Sequence, residues 1–396
     1  MKEVIVLTLF IIGALIGAGF ASGQEMYSFF YAYGIYGIIG MIVSCSLMSI
    51  VIFKCLKLIY DKNINSYDEF LEIYIKNKKI TKLINLILNI LLLITFYIMI
   101  AGFGAYFEQE IGINRTIGSA ILALLTASVF FTNVKGVLKV SEYIVPLLLI
   151  FIVLIGGENL IFLDSNIVLI EVKKRWLLSS MLYCSYNMIL LIPVLISLKN
   201  QLTNRKNIKY IAILCGILMS IMSIFIFMLI AKVDIDISIL EMPVVYVIGK
   251  FFSKYKILYA FIILASIFTT AISLGIGFLQ NMCKNQRGYP QLVLFMCITS
   301  LIISRFGFSN LVNLLYPLFG YLGTIQIIVI LFGKNARKKS EIKCALHGKK
   351  SGIIRAQKYC KKKVLWYNIG KYQKTRRKIW KIFGLKSYRI EKRLML

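Results

Sequence analysis

A chain of 396 residues that is 59% hydrophobic, 16% charged and has a mean hydropathy of +0.79 lies outside the soluble globular range, where apolar usage is roughly 45–50%. Eight scattered cysteines without a Cys-x-x-Cys pair, and a single histidine, His347, argue against a disulfide framework or a structural metal centre. The net charge of +30 is unevenly spread: residues 334–396 hold 22 Lys and Arg against 2 Glu, a net of +20, and the remaining +10 belongs to residues 1–333.

The first apolar stretch, Phe10 to Phe30, reads FIIGALIGAGFASGQEMYSFF. It is long enough to enter a membrane, yet Gly13, Gly17, Gly19 and Gly23 sit inside it and Glu25 follows at once. Each glycine weakens a helix interior by about 1 kcal/mol relative to alanine. In lipid a helix breaks only where the freed backbone lines a protein-enclosed cavity. The stretch therefore predicts a broken helix that binds something at mid-membrane. Lys2, the apolar run and AGFASG also fit the outline of a signal peptide. The glycines in the core and the long apolar continuation favour a retained span.

Ten spans follow in order, at about 4–30, 36–60, 83–107, 115–132, 140–157, 176–198, 208–231, 257–280, 290–305 and 309–333. The expected fold is an all-α polytopic membrane protein of about ten transmembrane helices. Alternate loops are basic: Lys62, Lys76, Lys78, Lys79 and Lys82; Lys135 and Lys139; Lys199, Arg205 and Lys206; Lys284 and Arg287. The others carry Glu108 and Glu110, Glu158 and Asp164, then Asp234, Asp236 and Glu241, with some lysines among them. The positive-inside bias puts both termini in the cytoplasm. Abundant Ile, Lys and Asn fit an AT-rich coding genome, hence a multi-pass protein of a bacterial cell membrane. Segment 238–256 is too short and charged to span, and reads either as a lid or as a plain surface helix.

Polar residues inside spans need an account, because unsatisfied groups in lipid cost several kcal/mol. Glu25 is either a coupling carboxylate, for a proton, or a residue in an aqueous vestibule. Span six carries Ser179, Ser180, Tyr183, Cys184, Ser185, Tyr186 and Asn187, then Pro193; we expect a second helix break there, the alternative being interhelical hydrogen bonding. In span eight, Ser266, Thr269, Thr270 and Ser273 share one helix face. Such oxygens suit Na⁺, or they bond back to their own helix. Span ten holds Asn310, Asn313, Tyr316, Pro317 and Gly320, and Tyr97 is a lone hydroxyl in span three. Interruptions in spans one and six would fall at corresponding positions of two halves, which points to a transporter site. No nucleophile–base pair or phosphate loop is read, so the chain is not expected to be an enzyme and no cofactor is implied beyond a coupling ion.

The stretch GALIGAGFASGQEMYSFFYAYGIYGIIG resembles the YkvI-like family of bacterial membrane proteins, as do LYCSYNMIL (182–190), FTTAISLGIGF (268–278) and NLVNLLYPLFGYLG (310–323). That family is similar to the amino acid–polyamine–cation (APC) superfamily, whose fold is the LeuT type. The resemblance covers about residues 4–333. It implies a 5+5 inverted repeat, here about 4–157 and 176–333, with helices one and six broken. It also implies that Gly13 and Ile16 offer carbonyls to a Na⁺ completed by Ser266, Thr269 and Thr270. The amides of Ala18 and Gly19, beside Gly17, would face a substrate carboxylate, with Tyr97 nearby and Tyr183, Ser185 and Asn187 lining the site from span six. Phe20 stands where a second sodium site can have an amide, and span six has no glycine at its presumed break.

The expected function is a cation-coupled (Na⁺ or H⁺) secondary transporter of a small organic solute, amino acids included. A sensor or scaffold retaining the fold is the other reading. The tail, 334–396, interleaves basic and aromatic residues as in KTRRKIWKIFGLK. It reads as a cytoplasmic extension, solvated or drawn to anionic lipid at about 1 kcal/mol per nearby basic residue, with nucleic-acid binding a lesser expectation.

Overall fold

The computed structural model describes residues 2–75, 77–131, 146–158, 175–233, 235–283 and 288–333. These belong to one compact unit, Met1–Lys334. The basic tail, the start of the fifth expected span, and Lys76, Lys135, Lys139, Asp164, Asp234, Lys284 and Arg287 lie outside the described residues.

Every regular element among the described residues is helical. The first expected span is three short pieces, α1 (Lys2–Leu15), α2 (Ala18–Ala21) and α3 (Gln24–Phe29). Then come α4 (Ile35–Lys62), α5 (Tyr67–Glu72), α6 (Lys78–Tyr106), α7 (Arg115–Phe131) and α8 (Pro146–Glu158). The second half has α9 (Trp176–Ser197), α10 (Asn207–Ile230), α11 (Pro243–Phe251), α12 (Lys256–Met282), α13 (Tyr289–Ser304) and α14 (Phe308–Phe332). Among the described residues six helices, α4, α6, α9, α10, α12 and α14, are long and apolar enough to cross a membrane, and α7, α8 and α13 are shorter apolar ones. Their outward faces keep large apolar side chains exposed, Leu124, Phe261, Leu314 and Phe332 among them, as hydrocarbon contact requires.

Helices approach closely where small residues meet, since packing rather than hydrophobicity drives association in lipid. On α14, a Cβ at Gly320 would stand 2.7 Å from the Leu182 carbonyl oxygen, and one at Gly323 would collide with that of Ser185. These two glycines let α14 lie against α9 backbone to backbone. Between α4 and α10, Ser49 Oγ donates to the Ala212 carbonyl at 2.6 Å.

Contacts tie the helix ends into two groups. At one end, Glu3 Oε1 accepts from Thr203 N–H at 3.0 Å and Glu3 Oε2 from Asn207 Nδ2 at 2.9 Å. There too, Arg205 pairs with both oxygens of Asp61 at 2.8 and 2.7 Å, and Lys54 Nζ donates to Leu331 O at 2.8 Å. At the other end, Arg115 bridges Glu108 and Glu241, Lys256 meets Glu110 at 3.1 Å, and Lys254 meets Glu158 at 2.9 Å. Successive long helices therefore run in alternating directions.

Two expectations are corrected. Span six does not break: α9 is continuous through Tyr183–Asn187 and carries Pro193 within it. Two of its polar groups bond along their own helix, Ser185 Oγ donating to Met181 O at 2.6 Å and Asn187 Nδ2 to Tyr183 O at 3.0 Å. The helix expected over segment 238–256 is confined to α11, which buries Pro243, Val244, Val245, Val247 and Ile248 and leaves Phe251 exposed.

The α9–α14 seam makes a direct prediction. Gly323→Ala, forced against backbone, should destabilise the protein by roughly 1–3 kcal/mol and lower Tm by several degrees in detergent. Gly157→Ala, where no atom lies within 4 Å of the added carbon, should leave Tm unchanged in the same melt.

Candidate functional site

The interruption of the first span is the centre of the site. The last bond of α1 runs from Ile16 N–H to Ile12 O at 2.9 Å. Among the described residues, no backbone bond reaches the carbonyls of Gly13, Ala14, Leu15 or Ile16. The next bond in the ladder is Ala21 N–H to Gly17 O at 3.0 Å, which leaves the N–H groups of Gly17, Ala18, Gly19 and Phe20 outside it. Free carbonyls and free amides thus face one another across two residues, a ready pair of partial charges for a cation and an anionic group.

A second joint follows at Ser22-Gly23. Gly23 has φ +84°, a conformation that a Cβ would penalise. This left-handed turn folds α3 back so that the Glu25 side chain returns to α2. A Cβ at Gly19 would stand 2.5 Å from Glu25 Oε1 and 2.9 Å from its Cγ. The protein's own carboxylate therefore lies over the amides that the LeuT-type resemblance assigns to a substrate carboxylate. Glu25 is 2% exposed, so the vestibule reading is overturned. The groups that act on its carboxylate are the hydroxyls of Tyr186 and Tyr183 and the N–H of Phe20. Glu25 Oε2 and Tyr183 Oη have no hydrogen-bond partner within bonding geometry, and no ion pair of Glu25 occurs among the described residues.

The remaining walls come from four helices. From α6, Met99 Cε would lie 3.8 Å from a Cβ at Gly17, and Ala18 Cβ 3.4 Å from one at Gly102. From α12, Thr270 Cγ2 would lie 3.7 Å from the same Gly17 position, and the Tyr259 hydroxyl donates to Ala21 O. From α9 and α14, the rings of Tyr186 and Tyr316 stack at 4.6 Å, and Phe29 lies 5.6 Å from Tyr186 and 5.4 Å from Tyr183. Ser179 Oγ donates to Phe29 O at 2.6 Å, tying α9 to the end of α3.

Of the residues predicted from sequence, Gly17, Ala18, Gly19, Glu25, Tyr183 and Thr270 are gathered here. Ile16 is buried at the break and Gly13 is half-buried one turn earlier. Thr269 turns its hydroxyl to Ser266 O at 3.1 Å, and Ser273 bonds back to Thr269 O at 2.9 Å. Ser266 is buried on the same face of α12. Ser185 faces α14, accepting from Thr324 Oγ1 at 3.0 Å, and Asn187 is spent on its own helix. Tyr97 is not brought to the break: its hydroxyl pairs with Thr299 Oγ1 on α13 at 2.6 Å. Two residues along an α-helix is about 200° of rotation, so α6 presents Met99 rather than Tyr97.

Sequence reasoning offered segment 238–256 as a lid but missed the contacts that hold α11 in place. Val244 N–H donates to Ser22 O at 2.9 Å, and Val244 Cγ2 would lie 2.6 Å from a Cβ at Gly23. Gln24 Nε2 donates to Ser309 Oγ at 2.6 Å, Ser309 N–H to Glu241 Oε2 at 2.6 Å, and Arg115 Nη1 to Glu241 Oε1 at 3.2 Å. Gln109 clasps Met242 by two bonds, at 3.1 and 2.9 Å. The available signal was Gln24 itself, an amide within an apolar run.

No family model matches the chain. It is similar to "Uncharacterized membrane protein YkvI" of Bacillus subtilis (strain 168), with 30% identity over 334 residues, 83% of this chain and 95% of that protein. It is also similar to "Uncharacterized protein YyaD" of the same organism, with 24% identity over 328 residues, 82% and 94% of the two chains. Among solved structures it is similar to MHP1, a nucleobase-cation-symport-1 family transporter, in a closed conformation with bromovinylhydantoin bound. The TM-score there is 0.48, with 11% identity, over 82% of this chain and 74% of that one.

The α11 closure is testable through accessibility. Ser22→Cys places a thiol beneath α11, and Glu241→Gln removes the charge that holds Arg115 and Ser309. In the double variant a membrane-impermeant maleimide should label the Ser22→Cys thiol several-fold faster than in Ser22→Cys alone, the loss being on the order of 1 kcal/mol for partly exposed charges. Equal labelling rates would mean that these bonds do not hold the closure.

Proposed function

The chain belongs to the YkvI-like family of membrane proteins, and from that premise we propose that it is a cation-coupled secondary transporter of a small organic solute. In this reading its ten apolar segments span a bacterial cell membrane as two inverted five-span repeats with both termini cytoplasmic, and the solute passes by alternating access. The supporting observation is the interrupted first span. Its unpaired carbonyls and amides sit among α6, α9, α12 and α14, while separate sets of polar contacts join the helix ends on either side. The Glu3 and Asp61 contacts serve as the cytoplasmic closure, and the Arg115–Glu241 and Val244–Ser22 contacts as the outer one. Alternating access needs two such closures that open in turn around a fixed centre.

Two sites carry the coupling ion in this proposal. Carbonyls at Gly13 and Ile16, with hydroxyls of Ser266, Thr269 and Thr270 on α12, would hold Na⁺; of these hydroxyl residues Thr270 is the one that reaches the break, with its methyl carbon 3.7 Å from a Cβ placed at Gly17. Glu25 would carry a proton instead, and its burial without a cationic partner supports that role. Helix α2 adds its free N–H groups, which favour negative charge at the break. The solute belongs among small organic molecules, of which amino acids are one class. The basic tail 334–396 would rest on anionic lipid of the inner leaflet.

Uptake or counterflow in proteoliposomes, with and without Na⁺, tests the reading. Thr270→Val should weaken sodium stimulation about tenfold, as expected for losing one oxygen ligand. Thr269→Val should weaken it to a similar degree, because a hydroxyl that donates its proton to Ser266 O keeps its lone pairs for the ion. Sodium dependence that survives both substitutions would leave Glu25 as the coupling group. No uptake of any solute under any ion gradient would favour a sensor or scaffold.

A further inference from the structure

We infer that the solute is an organic cation, held by its ammonium group between the Glu25 carboxylate and the aromatic rings of Tyr183 and Tyr316. The inference rests on the transporter reading and narrows its substrate class. Three observations lead to it.

First, the place above Gly19 is taken. Glu25 Oε1 lies where a Cβ on Gly19 would nearly touch it, so a solute carboxylate directed at the free amides of α2 would meet a carboxylate of the protein. Like charges at such range repel. An amino acid would have to displace Glu25 before binding, whereas an amine can take the place of the proton that Glu25 holds.

Second, the carboxylate is buried and lacks a cation. Burying a charge is costly unless it is paired. Glu25 Oε2 has no hydrogen-bond partner, and neither does the Tyr183 hydroxyl beside it. The groups facing Glu25 from each packed element are hydroxyls and amides: Tyr183 and Tyr186 from α9, Tyr316 from α14, and the Phe20 N–H from α2. No Lys or Arg enters this shell among the described residues. What the shell lacks is a donor that carries positive charge.

Third, the walls suit such a group. Tyr186 stacks on Tyr316 at 4.6 Å and sets its ring edge-to-face with Tyr183, centroids 5.6 Å apart. Tyr186 gives its ring surface to both Tyr316 and Phe29, so the rings left to attract an ammonium group through their quadrupoles are those of Tyr183 and Tyr316. Carboxylate and rings together would offer charge to an N–H donor and surface to its alkyl part. A proton on Glu25 neutralises the same site when the solute is absent, so one cation replaces another there.

Ligand-dependent thermal stability of the purified full chain at neutral pH provides the test. The probes are ethylammonium and benzylammonium chloride, with equimolar sodium chloride, the neutral benzyl alcohol and the zwitterions alanine and phenylalanine alongside. Ammonium probes should raise Tm in a saturable way, and the other three kinds should raise it little. Glu25→Gln keeps side-chain volume and should weaken ammonium binding about tenfold or more, as loss of a charge-assisted pair does. Glu25→Asp should retain part of the effect. Tyr316→Phe, which keeps the ring, should preserve binding, and Tyr316→Leu should weaken it. Equal stabilisation by amines and by zwitterions, or ammonium binding that survives Glu25→Gln, would overturn the inference. Uptake of a zwitterionic or neutral solute without ammonium binding would also overturn it, and would leave the transporter reading intact. Glu25-dependent ammonium binding without uptake of any solute would keep the site and discard transport.

Discussion

In hydrocarbon every backbone amide and carbonyl has to find a partner within the protein, and the breaks at Ile16-Gly17 and Ser22-Gly23 together release several of each. The surrounding architecture answers that demand. Tyr259 donates to Ala21 O, Ser22 Oγ to Gly19 O at 3.2 Å, and Val244 N–H to Ser22 O at 2.9 Å. The Phe20 N–H faces the Glu25 carboxylate. These partners come from α12, α11 and the broken segment itself, so those elements cannot drift from the break without exposing polar backbone to an apolar medium. The groups left over, from the Gly13 carbonyl to the Gly19 amide, are the ones available to a ligand.

The same constraint accounts for the difference between the first span and α9. A second break in α9 would release a second set of backbone groups, and Ser185 and Asn187 do not provide for one, since both bond within their own helix. Instead α9 stays whole and contributes rings and hydroxyls. Its close approach to α14 comes from Gly320 and Gly323 on the partner helix. The first span thus offers backbone and a carboxylate, and α9 with α14 offers aromatic surface.

How much of this is legible in the sequence depends on which force decides each feature. The first break is readable because four glycines in an apolar run cost helix stability in any context. The burial of α11 follows from packing over Ser22 and Gly23, which the charges flanking it conceal. Tyr97 and Met99 differ by two positions, and only the rotation of α6 about its axis decides which of them meets Gly17. Polarity alone misleads in α9, because a hydroxyl satisfied at the carbonyl four residues earlier looks, in sequence, the same as one lining a cavity. The return of Glu25 onto Gly19 is set by a single left-handed residue, Gly23, at φ +84°. Sequence marks that glycine but not the direction it sends the chain.

That direction matters for coupling. Gln24 and Glu25 are neighbours on α3 and point into different environments. Glu25 lies against α2 and the tyrosines, while Gln24 Nε2 donates to Ser309 Oγ, whose own backbone N–H donates to Glu241. Glu241 in turn holds Arg115, and Met242 next to it is clasped by Gln109. A short helix of six residues has too little of its own hydrogen bonding to resist being moved as a unit. Any occupant of Glu25 that shifts α3 must therefore carry the Gln24–Ser309–Glu241 run with it or break it. The Ser22 carbonyl that holds α11 sits two residues from Gln24, on the same joint. Occupancy at the centre and closure on the α11 side are thus joined through one flexible turn and three short hydrogen-bonded steps. Such a link is what the proposed alternating access would require of the site.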